Sequence, residues 1–216
     1  MNSALQVHTI VSLPFQENTY IVWRAEGSNA LVIDPGLGPD AILAFLEERS
    51  LTVAAILDTH GHADHIAGNE AIKGRYPDAP LIIGVNEVAL LSDPDLNMSS
   101  PFGFAIVSPP ADRLVNDGDI LEFAGFRLEV REIPGHSPGH VVFVLHDEQP
   151  IIVFGGDVLF RGSIGRTDFP GGSFERLEAG IRTKLYTLAD DAVVYPGHGP
   201  VTTVGHEKRT NPFVKP

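Results

Sequence analysis

The sequence predicts an α+β fold in which helices cover β-sheets on both sides. Three observations support this prediction. Strand patterns outnumber helical patterns, the helices fall at intervals that suit outer layers, and no internal repeat of fixed period is present. We expect residues 1–216 to form a single domain, because a chain of this size buries roughly 70% of the surface that it exposes when unfolded.

The first third of the chain alternates between apolar and polar residues, as half-buried strands do. We predict strands over Leu5 to Leu13, Thr19 to Ala25 and Ala30 to Ile33. The third strand ends at Asp34-Pro35-Gly36, a turn sequence. An amphipathic helix is predicted over Pro39 to Arg49, where apolar residues recur along one face.

The following segment is predicted to join a buried strand to a helix through a histidine-rich turn. Val53 to Leu57 is the strand, and the helix runs from Asp64, which is placed to cap it, to about Tyr76. Beyond it we expect a short strand at Leu81 to Ile83 and a short helix at Asn86 to Leu91. Ser92 to Pro110 is rich in Pro and Ser, which indicates a surface loop.

The second half of the chain begins with a predicted β-hairpin. Its strands are Asp119 to Phe123 and Phe126 to Ile133, and Ala124-Gly125 forms the turn. Further strands are predicted at His140 to Leu145, Ile151 to Phe154 and Ala192 to Tyr195. A helix is predicted at Ser173 to Leu185, with Ser173 as its cap.

The stretch Thr59-His60-Gly61-His62-Ala63-Asp64-His65 is dense in side chains that bind metals. In an extended segment, residues i and i+2 face the same way, so His60 and His62 can bind one ion together. If a helix begins at Asp64, then Asp64 and His65 point elsewhere and can serve a second ion. Imidazole suits zinc, iron, copper and nickel, and a carboxylate helps to neutralise their charge. The alternative is that this loop is rich in histidine by chance, which explains four metal-binding side chains within six residues poorly.

Three further ligand candidates each follow a predicted strand and stand beside glycines. They are His136, Asp157 and His198. Taken singly, each is weak, because a Gly-His pair is usually a turn and an Asp after a strand is usually a cap. Their recurrence at strand ends indicates a shared site, since strand ends on one edge of a sheet bring distant parts of a chain together.

The other histidines are expected to be structural or exposed. Among them we expect His140 to be the one that lies beside the ligands. These residues are His8, His140, His146 and His206.

Composition excludes several kinds of protein. The chain has 28 acidic and 15 basic residues and a net charge of −13. Two zinc ions and a hydroxide would leave about −10, which argues against a nucleic-acid partner. There is no cysteine, so a disulfide scaffold, a thiolate metal site and a cysteine nucleophile are excluded. We expect a cytoplasmic protein with no membrane partner, because neither a signal peptide nor an apolar run of membrane-spanning length is visible.

With these residues identified, the chain resembles the metallo-β-lactamase superfamily over nearly its whole length. That resemblance implies a four-layer αββα sandwich with metals at one edge. It also implies two divalent metal ions, expected to be Zn²⁺ with Fe or Mn as alternatives. Asp34 would support the ligands, and Asp157 would bridge the ions. The resemblance assigns His60, His62 and His136 to one metal, and Asp64, His65 and His198 to the other.

Within the superfamily, the chain looks most like the short, single-domain glyoxalase II-like hydrolases. The residues that carry this likeness are Gly156-Asp157-Val158-Leu159-Phe160, Gly165-Arg166-Thr167-Asp168-Phe169-Pro170 and Asn211-Pro212-Phe213. Glyoxalase II enzymes hydrolyse the thioester S-D-lactoylglutathione to D-lactate and glutathione. The resemblance implies attack by a hydroxide held between the two metals, with Asp64 and Asp157 as catalytic residues. Longer members add a helical C-terminal domain that provides much of their glutathione-binding surface.

An acidic chain must bind an anionic, glutathione-derived thioester through local cations. Arg161 and Arg166 flank glycines that follow Asp157, and a guanidinium binds a carboxylate through two hydrogen bonds. We therefore predict that both arginines bind substrate, Arg166 being the stronger candidate. The alternative is that they form salt bridges within their loop.

Two alternative functions stay open. Persulfide dioxygenases share the His-x-His-x-Asp-His run and a similar Gly-Arg-Thr-Asp-Phe loop, but they use one iron and molecular oxygen. The segments Pro196-Gly197-His198-Gly199-Pro200 and Asn211-Pro212-Phe213 favour the hydrolase. From another class, the chain could be a metal-binding module without this activity, against which the complete ligand set argues.

Overall fold

In a computed structural model that describes residues 3–216, two six-stranded β-sheets pack face to face. The strands of the first sheet all come from residues 5–115. The strand order is β1-β2-β3-β4-β5-β6, antiparallel as far as β3 and parallel from there on. These strands are β1 (Leu5–Ser12), β2 (Glu17–Arg24), β3 (Asn29–Ile33), β4 (Thr52–Leu57), β5 (Leu81–Gly84) and β6 (Arg113–Val115).

The second sheet comes from the second half of the chain. Its strands are β7 (Ile120–Phe123), β8 (Phe126–Glu132), β9 (Val141–Leu145), β10 (Ile152–Gly156), β13 (Val193–Pro196) and β14 (Thr202–Thr203). The order is β14-β13-β10-β9-β8-β7, and within it only β10 and β13 run parallel. A separate hairpin is formed by β11 (Leu159–Phe160) and β12 (Ser163–Ile164).

Short helices connect the strands. They are α1 (Pro39–Glu48), α2 (Ala63–Ile66), α3 (Asn69–Arg75), α4 (Val88–Ser92), α5 (Phe174–Gly180) and α6 (Val204–Thr210). Single 3₁₀ turns occupy Val85–Glu87 and Ser100–Phe102, and α5 continues as a π-helix over Ile181–Leu185. Within residues 3–216, no helix has the length and apolar character needed to cross a membrane.

Alternating side chains build the layers of the fold. In β2, Tyr20 and Val22 point into the core between the two sheets, whereas Ile21 points outward against Leu46 of α1. On the far side, Val142 of β9 packs against the outer helix α5 and its continuation. The layers therefore run helix, sheet, sheet, helix, and the predicted α+β fold with its four-layer αββα arrangement is confirmed.

The helix predicted from Asp64 to Tyr76 is in fact two helices, α2 and α3. They separate at Gly68, whose N–H donates to the carbonyl of Pro35 across 2.7 Å. A Cβ on Gly68 would lie only 2.8 Å from that carbonyl oxygen. Close packing against the end of β3 therefore breaks the helix. Asp64 is not the cap, since His62 holds the N-cap position and Asp64 lies in the first turn.

Several short elements were not predicted from the sequence, namely β6, β11, β12, β14 and α6. The strands among them have two or three residues each, which is too few to show an alternating pattern. The prediction that Ser173 caps α5 is confirmed, because its side chain accepts a hydrogen bond from the N–H of Arg176. The segment from Ser92 to Pro110 is a loop, as predicted, with one 3₁₀ turn.

Candidate metal centre

The seven side chains predicted as metal ligands meet at one edge of the two sheets. The loop after β4 and helix α2 carry four of them, and the loops after β8, β10 and β13 carry one each. Their donor atoms form three groups in which all atoms lie within 4.8 Å of one another. The groups are His60, His62 and His136; His60, His65 and Asp157; and Asp64, His65 and His198.

Asp157 lies between the two halves of this cluster. Its Oδ1 is 3.5 Å from Nε2 of His65, and its Oδ2 is 3.5 Å from Nε2 of both His136 and His198. One carboxylate thus reaches residues that the resemblance assigns to different ions. This placement suits a carboxylate that bridges two metals.

Backbone carbonyls orient two of the imidazoles. Nδ1 of His136 lies 2.9 Å from the carbonyl oxygen of Arg166, and Nδ1 of His198 lies 3.1 Å from that of Phe15. A carbonyl oxygen only accepts hydrogen bonds, so each Nδ1 must carry the proton. The lone pair of each ring is then on Nε2, which points into the cluster, as a metal ligand requires.

Asp34 fixes two more imidazoles from outside the cluster. Its Oδ1 accepts from the N–H of Thr59 across 2.7 Å, and its Oδ2 accepts from Thr59 Oγ1 across 2.8 Å and from His65 Nδ1 across 3.1 Å. Because the Thr59 hydroxyl donates to Asp34, it accepts from Nδ1 of His60, 3.0 Å away. Asp34 therefore contacts the ligands directly and through Thr59, in the supporting position that the resemblance implied.

Buried atoms without partners test whether this cluster fits metal ions. Among the described residues, Nε2 of His60, Nε2 of His65 and Oδ1 of Asp157 are buried without a hydrogen bond. Leaving such an atom unsatisfied costs about 1–3 kcal/mol. In addition, Nδ1 of His62 faces the unprotonated Nε2 of His136 at 2.9 Å. A cation satisfies all of these atoms, so the cluster suits a dinuclear metal site.

The electrostatics of the cluster favour bound cations. Burial lowers the pKa of His60 and of His62 well below the ordinary value, which keeps both rings neutral. Burial alone would raise the pKa of Asp64, but His65 and His198 hold it below its ordinary range. His60, His62 and the Asp64 carboxylate are therefore in the protonation states that bind metals. Burial would lower the pKa of His65 and of His198, but Asp64 and Asp157 raise both, so a cation must displace a proton from these two rings.

Two further residues support the ligand loops. Glu87 is fully buried; its Oε2 accepts from the N–H of Gly61 across 2.8 Å, and its Oε1 accepts from the N–H of Gly139 across 2.6 Å and from Ser137 Oγ across 2.8 Å. It thus joins the loop of His60 to that of His136. His140, expected beside the ligands, accepts from the N–H of Asp157 at 3.0 Å. The role of Glu87 was not predicted from the sequence. The one indication there is the position of an acidic residue between two apolar residues, Val85 and Val88.

A cavity of about 400 Å³ opens onto the cluster. Five phenylalanines contribute to its wall, and among its described lining residues Arg166 is the only lysine or arginine. The guanidinium of Arg166 makes two hydrogen bonds to Asp168, at 2.7 and 2.6 Å, and lies 3.9 Å over the ring of Phe169. The phenylalanines are Phe15, Phe102, Phe104, Phe160 and Phe169.

The structure brings Arg166, and not Arg161, to this cavity. Arg161 is exposed at the tip of the β11–β12 hairpin, whereas its hairpin neighbours Phe160 and Ser163 line the cavity. The tight hairpin turn explains the difference, since it points the intervening residues away from the site. The prediction that Arg161 binds substrate finds no support in this placement.

Comparisons with known proteins agree with this geometry. The sequence pattern of the Metallo-beta-lactamase superfamily matches residues 13–198. Hydroxyacylglutathione hydrolase GloC of Haemophilus influenzae is 39% identical over 97% of this chain and 98% of its own length. The crystal structure of BLEG-1 B3 metallo-beta-lactamase superposes with a TM-score of 0.92 at 38% identity, covering 98% of this chain and all of that one. A di-iron-bound form of TTHA1623 gives 0.85 at 39% identity, covering 96% and 100%.

Proposed function

The chain belongs to the metallo-beta-lactamase superfamily, and from this premise we propose that it is a thioester hydrolase that cleaves hydroxyacylglutathione thioesters such as S-D-lactoylglutathione. The metallo-hydrolase character follows from the family and the ligand cluster. The thioester substrate is supported by the likeness to GloC, which spans nearly the whole of both chains.

We propose Zn²⁺ for both ions, because imidazoles and carboxylates are ligands that zinc commonly takes in proteins. Iron and manganese are the alternatives, since the same donors also bind them. His60, His62 and His136 would hold one ion, and Asp64, His65 and His198 the other, with Asp157 shared. Bound there, the two cations would lower the pKa of a water toward neutrality and polarise the thioester carbonyl.

The chain's own residues prepare the site for this chemistry. Asp64 lines the cavity and keeps an ionised carboxylate, so it can accept a hydrogen bond from the attacking water and orient it. His60 and His65 are held in place by Thr59 and Asp34, which are themselves buried, and this limits the reorganisation needed during the reaction. We propose Asp64 and Asp157 as the catalytic residues.

The single observation that carries the proposal is the position of Asp157. Its two oxygens lie 3.5 Å from ligands of both groups, an arrangement that a site for one metal would not need. Persulfide dioxygenases share the His-x-His-x-Asp-His run, so the choice of hydrolysis over their mononuclear iron chemistry is supported instead by the likeness to GloC and by the segments around His198 and Asn211.

The test combines elemental analysis of the purified protein with a hydrolysis assay on S-D-lactoylglutathione. We expect close to two equivalents of metal, and activity that a chelator removes and added Zn²⁺ restores. Two further assays run in parallel, namely oxygen uptake with glutathione persulfide and hydrolysis of the β-lactam nitrocefin. Oxygen uptake with one equivalent of iron, or turnover of nitrocefin alone, would overturn the proposal.

A further inference from the structure

The cavity over the metal centre carries an unusual amount of aromatic surface. We call Phe15, Phe102, Phe104, Phe160 and Phe169 the phenylalanine wall, since all five line this cavity. Phe15 and Phe102 come from different loops and meet edge to face, with ring centroids 5.0 Å apart. Phe15 and Phe102 therefore form one continuous aromatic surface, and the other three rings of the wall line the same cavity.

The wall begins directly at the metal ligands. The ring of Phe169 lies edge to face against His62, with centroids 5.3 Å apart, and Phe160 lies in the same way against His198 at 6.2 Å. A thioester carbonyl at the cluster would thus have apolar surface immediately beside it. A substituent of that carbonyl, either the acyl side chain or the thiol part, must therefore contact this apolar surface.

The wall extends outward into solvent-accessible surface. The side chains of Phe102 and Phe104 are 55% and 50% exposed. Rings of this size are usually buried, and an exposed apolar surface that continues a binding cavity marks a place where a ligand is bound.

Charge decides which end of a glutathione thioester fits here. Glutathione carries two carboxylates and an amine, whereas the phenyl rings of the wall offer these groups no charged partner. Burying those charged groups against phenyl rings would leave them without partners. The acyl group is the end that has no charge, so it is the end that the wall can bind.

On the basis of the function proposed above, we propose that the phenylalanine wall binds the acyl side chain, and that the preferred substrates are thioesters of 2-hydroxy acids with an aromatic side chain. The methyl group of a lactoyl thioester is too small to cover the wall. A phenyl group buries more apolar area and can pack edge to face on the rings.

The test uses two thioesters that differ in one group. S-D-mandeloylglutathione and S-D-lactoylglutathione share the thiol, the α-hydroxyl and the configuration at the α-carbon, and they differ by phenyl in place of methyl. We expect kcat/KM, after division by the alkaline hydrolysis rate of each ester, to favour the mandeloyl ester at least about tenfold. The division removes the intrinsic reactivity of the two esters from the comparison.

Two variants and one matched control locate the preference. Phe102→Ala and Phe104→Ala alter exposed rings of the wall, and each is expected to lower the mandeloyl-to-lactoyl ratio severalfold. Phe213 is as exposed as Phe104, at 50%, but does not line the cavity. Phe213→Ala should therefore keep the wild-type ratio. Circular dichroism and metal content verify that each variant is folded and loaded.

The outcomes separate this inference from the proposed function. A corrected ratio near one in the wild type, or a ratio that Phe102→Ala and Phe104→Ala leave unchanged, overturns the role of the wall while lactoylglutathione turnover still supports the hydrolase. If the metal-loaded protein hydrolyses neither thioester, the proposed function fails, and the inference that rests on it fails with it.

Discussion

Asp34 and His65 are joined by a hydrogen bond of 3.1 Å between Oδ2 and Nδ1, in a part of the protein from which water is excluded. The bond places the proton of the imidazole on Nδ1 and leaves Nε2 for the metal centre. Asp34 adopts a left-handed backbone conformation, with φ of 49°, to reach this position. A strained aspartate at the end of β3 therefore sets the protonation of a ligand on another element.

Replacing Asp34 by asparagine tests this relationship. In Asp34→Asn, the amide oxygen is expected to keep the bond to the N–H of Thr59, so the amide nitrogen would face Nδ1 of His65 as a donor. The ring would then carry its proton on Nε2 and lose its ligand atom. We expect metal affinity to fall about 10- to 100-fold, measured by competition with a chromophoric chelator.

Asp58→Asn provides the matched control. Asp58 is also a buried acid, but its Oδ2 accepts from the side chain of Asn69 and not from a ligand. This variant should retain wild-type metal affinity. If Asp34→Asn binds metal as tightly as the wild type, Asp34 does not set the protonation of His65.

Glu87 is expected to stabilise both the fold and one half of the metal centre. Glu87→Gln leaves a single strong acceptor for donors on Gly61, Ser137 and Gly139, so at least one buried N–H loses its partner. The expected loss is about 1–3 kcal/mol of unfolding free energy, measured by urea denaturation of the metal-free protein. Ser137→Ala removes a hydroxyl that donates to Glu87 and leaves the N–H groups of Gly61 and Gly139 with their partners, so it should cost less. Equal, negligible losses in both variants would contradict this role.

His198 is expected to be required for the second metal ion. His198→Ala should lose about one equivalent of metal and lower thioester turnover by orders of magnitude, while His60, His62 and His136 keep the first ion. Elemental analysis and kinetics are measured on the same preparation. His206→Ala, a change at a half-buried histidine on α6, should affect neither. Wild-type turnover with one equivalent of metal would refute a dinuclear hydrolase.

Arg166 is expected to bind a carboxylate of glutathione, and the alternative is that it only maintains the conformation of its loop. If its guanidinium binds a glutathione carboxylate, Arg166→Ala raises KM for S-lactoylglutathione more than for a small uncharged thioester. Asp168→Asn weakens the competing ion pair and should then lower that KM. If the pair only holds Phe169 in position, both variants impair both substrates alike. Metal content should be unchanged throughout.

The metal ligands could be predicted because their signals are local. His60 and His62 lie two residues apart after a buried strand, and Asp157 follows two glycines at a strand end. Patterns of this kind need only the period of a strand and the residue types that bind metals. The assignment of each ligand to one ion came from resemblance rather than from spacing.

Features that depend on tertiary contacts could not be predicted in this way. The break at Gly68 arises from its approach to Pro35, while the apolar pattern continues through it. Phe102 and Phe104 lie in a loop without periodicity, and only folding brings them opposite Phe15. Glu87 has the appearance of an ordinary helix residue until the loops of Gly61 and Gly139 close around it.

The division of the chain into two sheets gives the proposed metal ions a role in stability as well as in catalysis. The first sheet and four ligands come before residue 116, and the second sheet and three ligands come after it. Ions bound across this boundary would join one half of the chain to the other, so unfolding would have to release them. Above the dissociation constant, each tenfold rise in free metal concentration would add about 1.4 kcal/mol per ion to the stability of the folded state. Starving a cell of the metal would then remove this protein through degradation as well as through loss of activity.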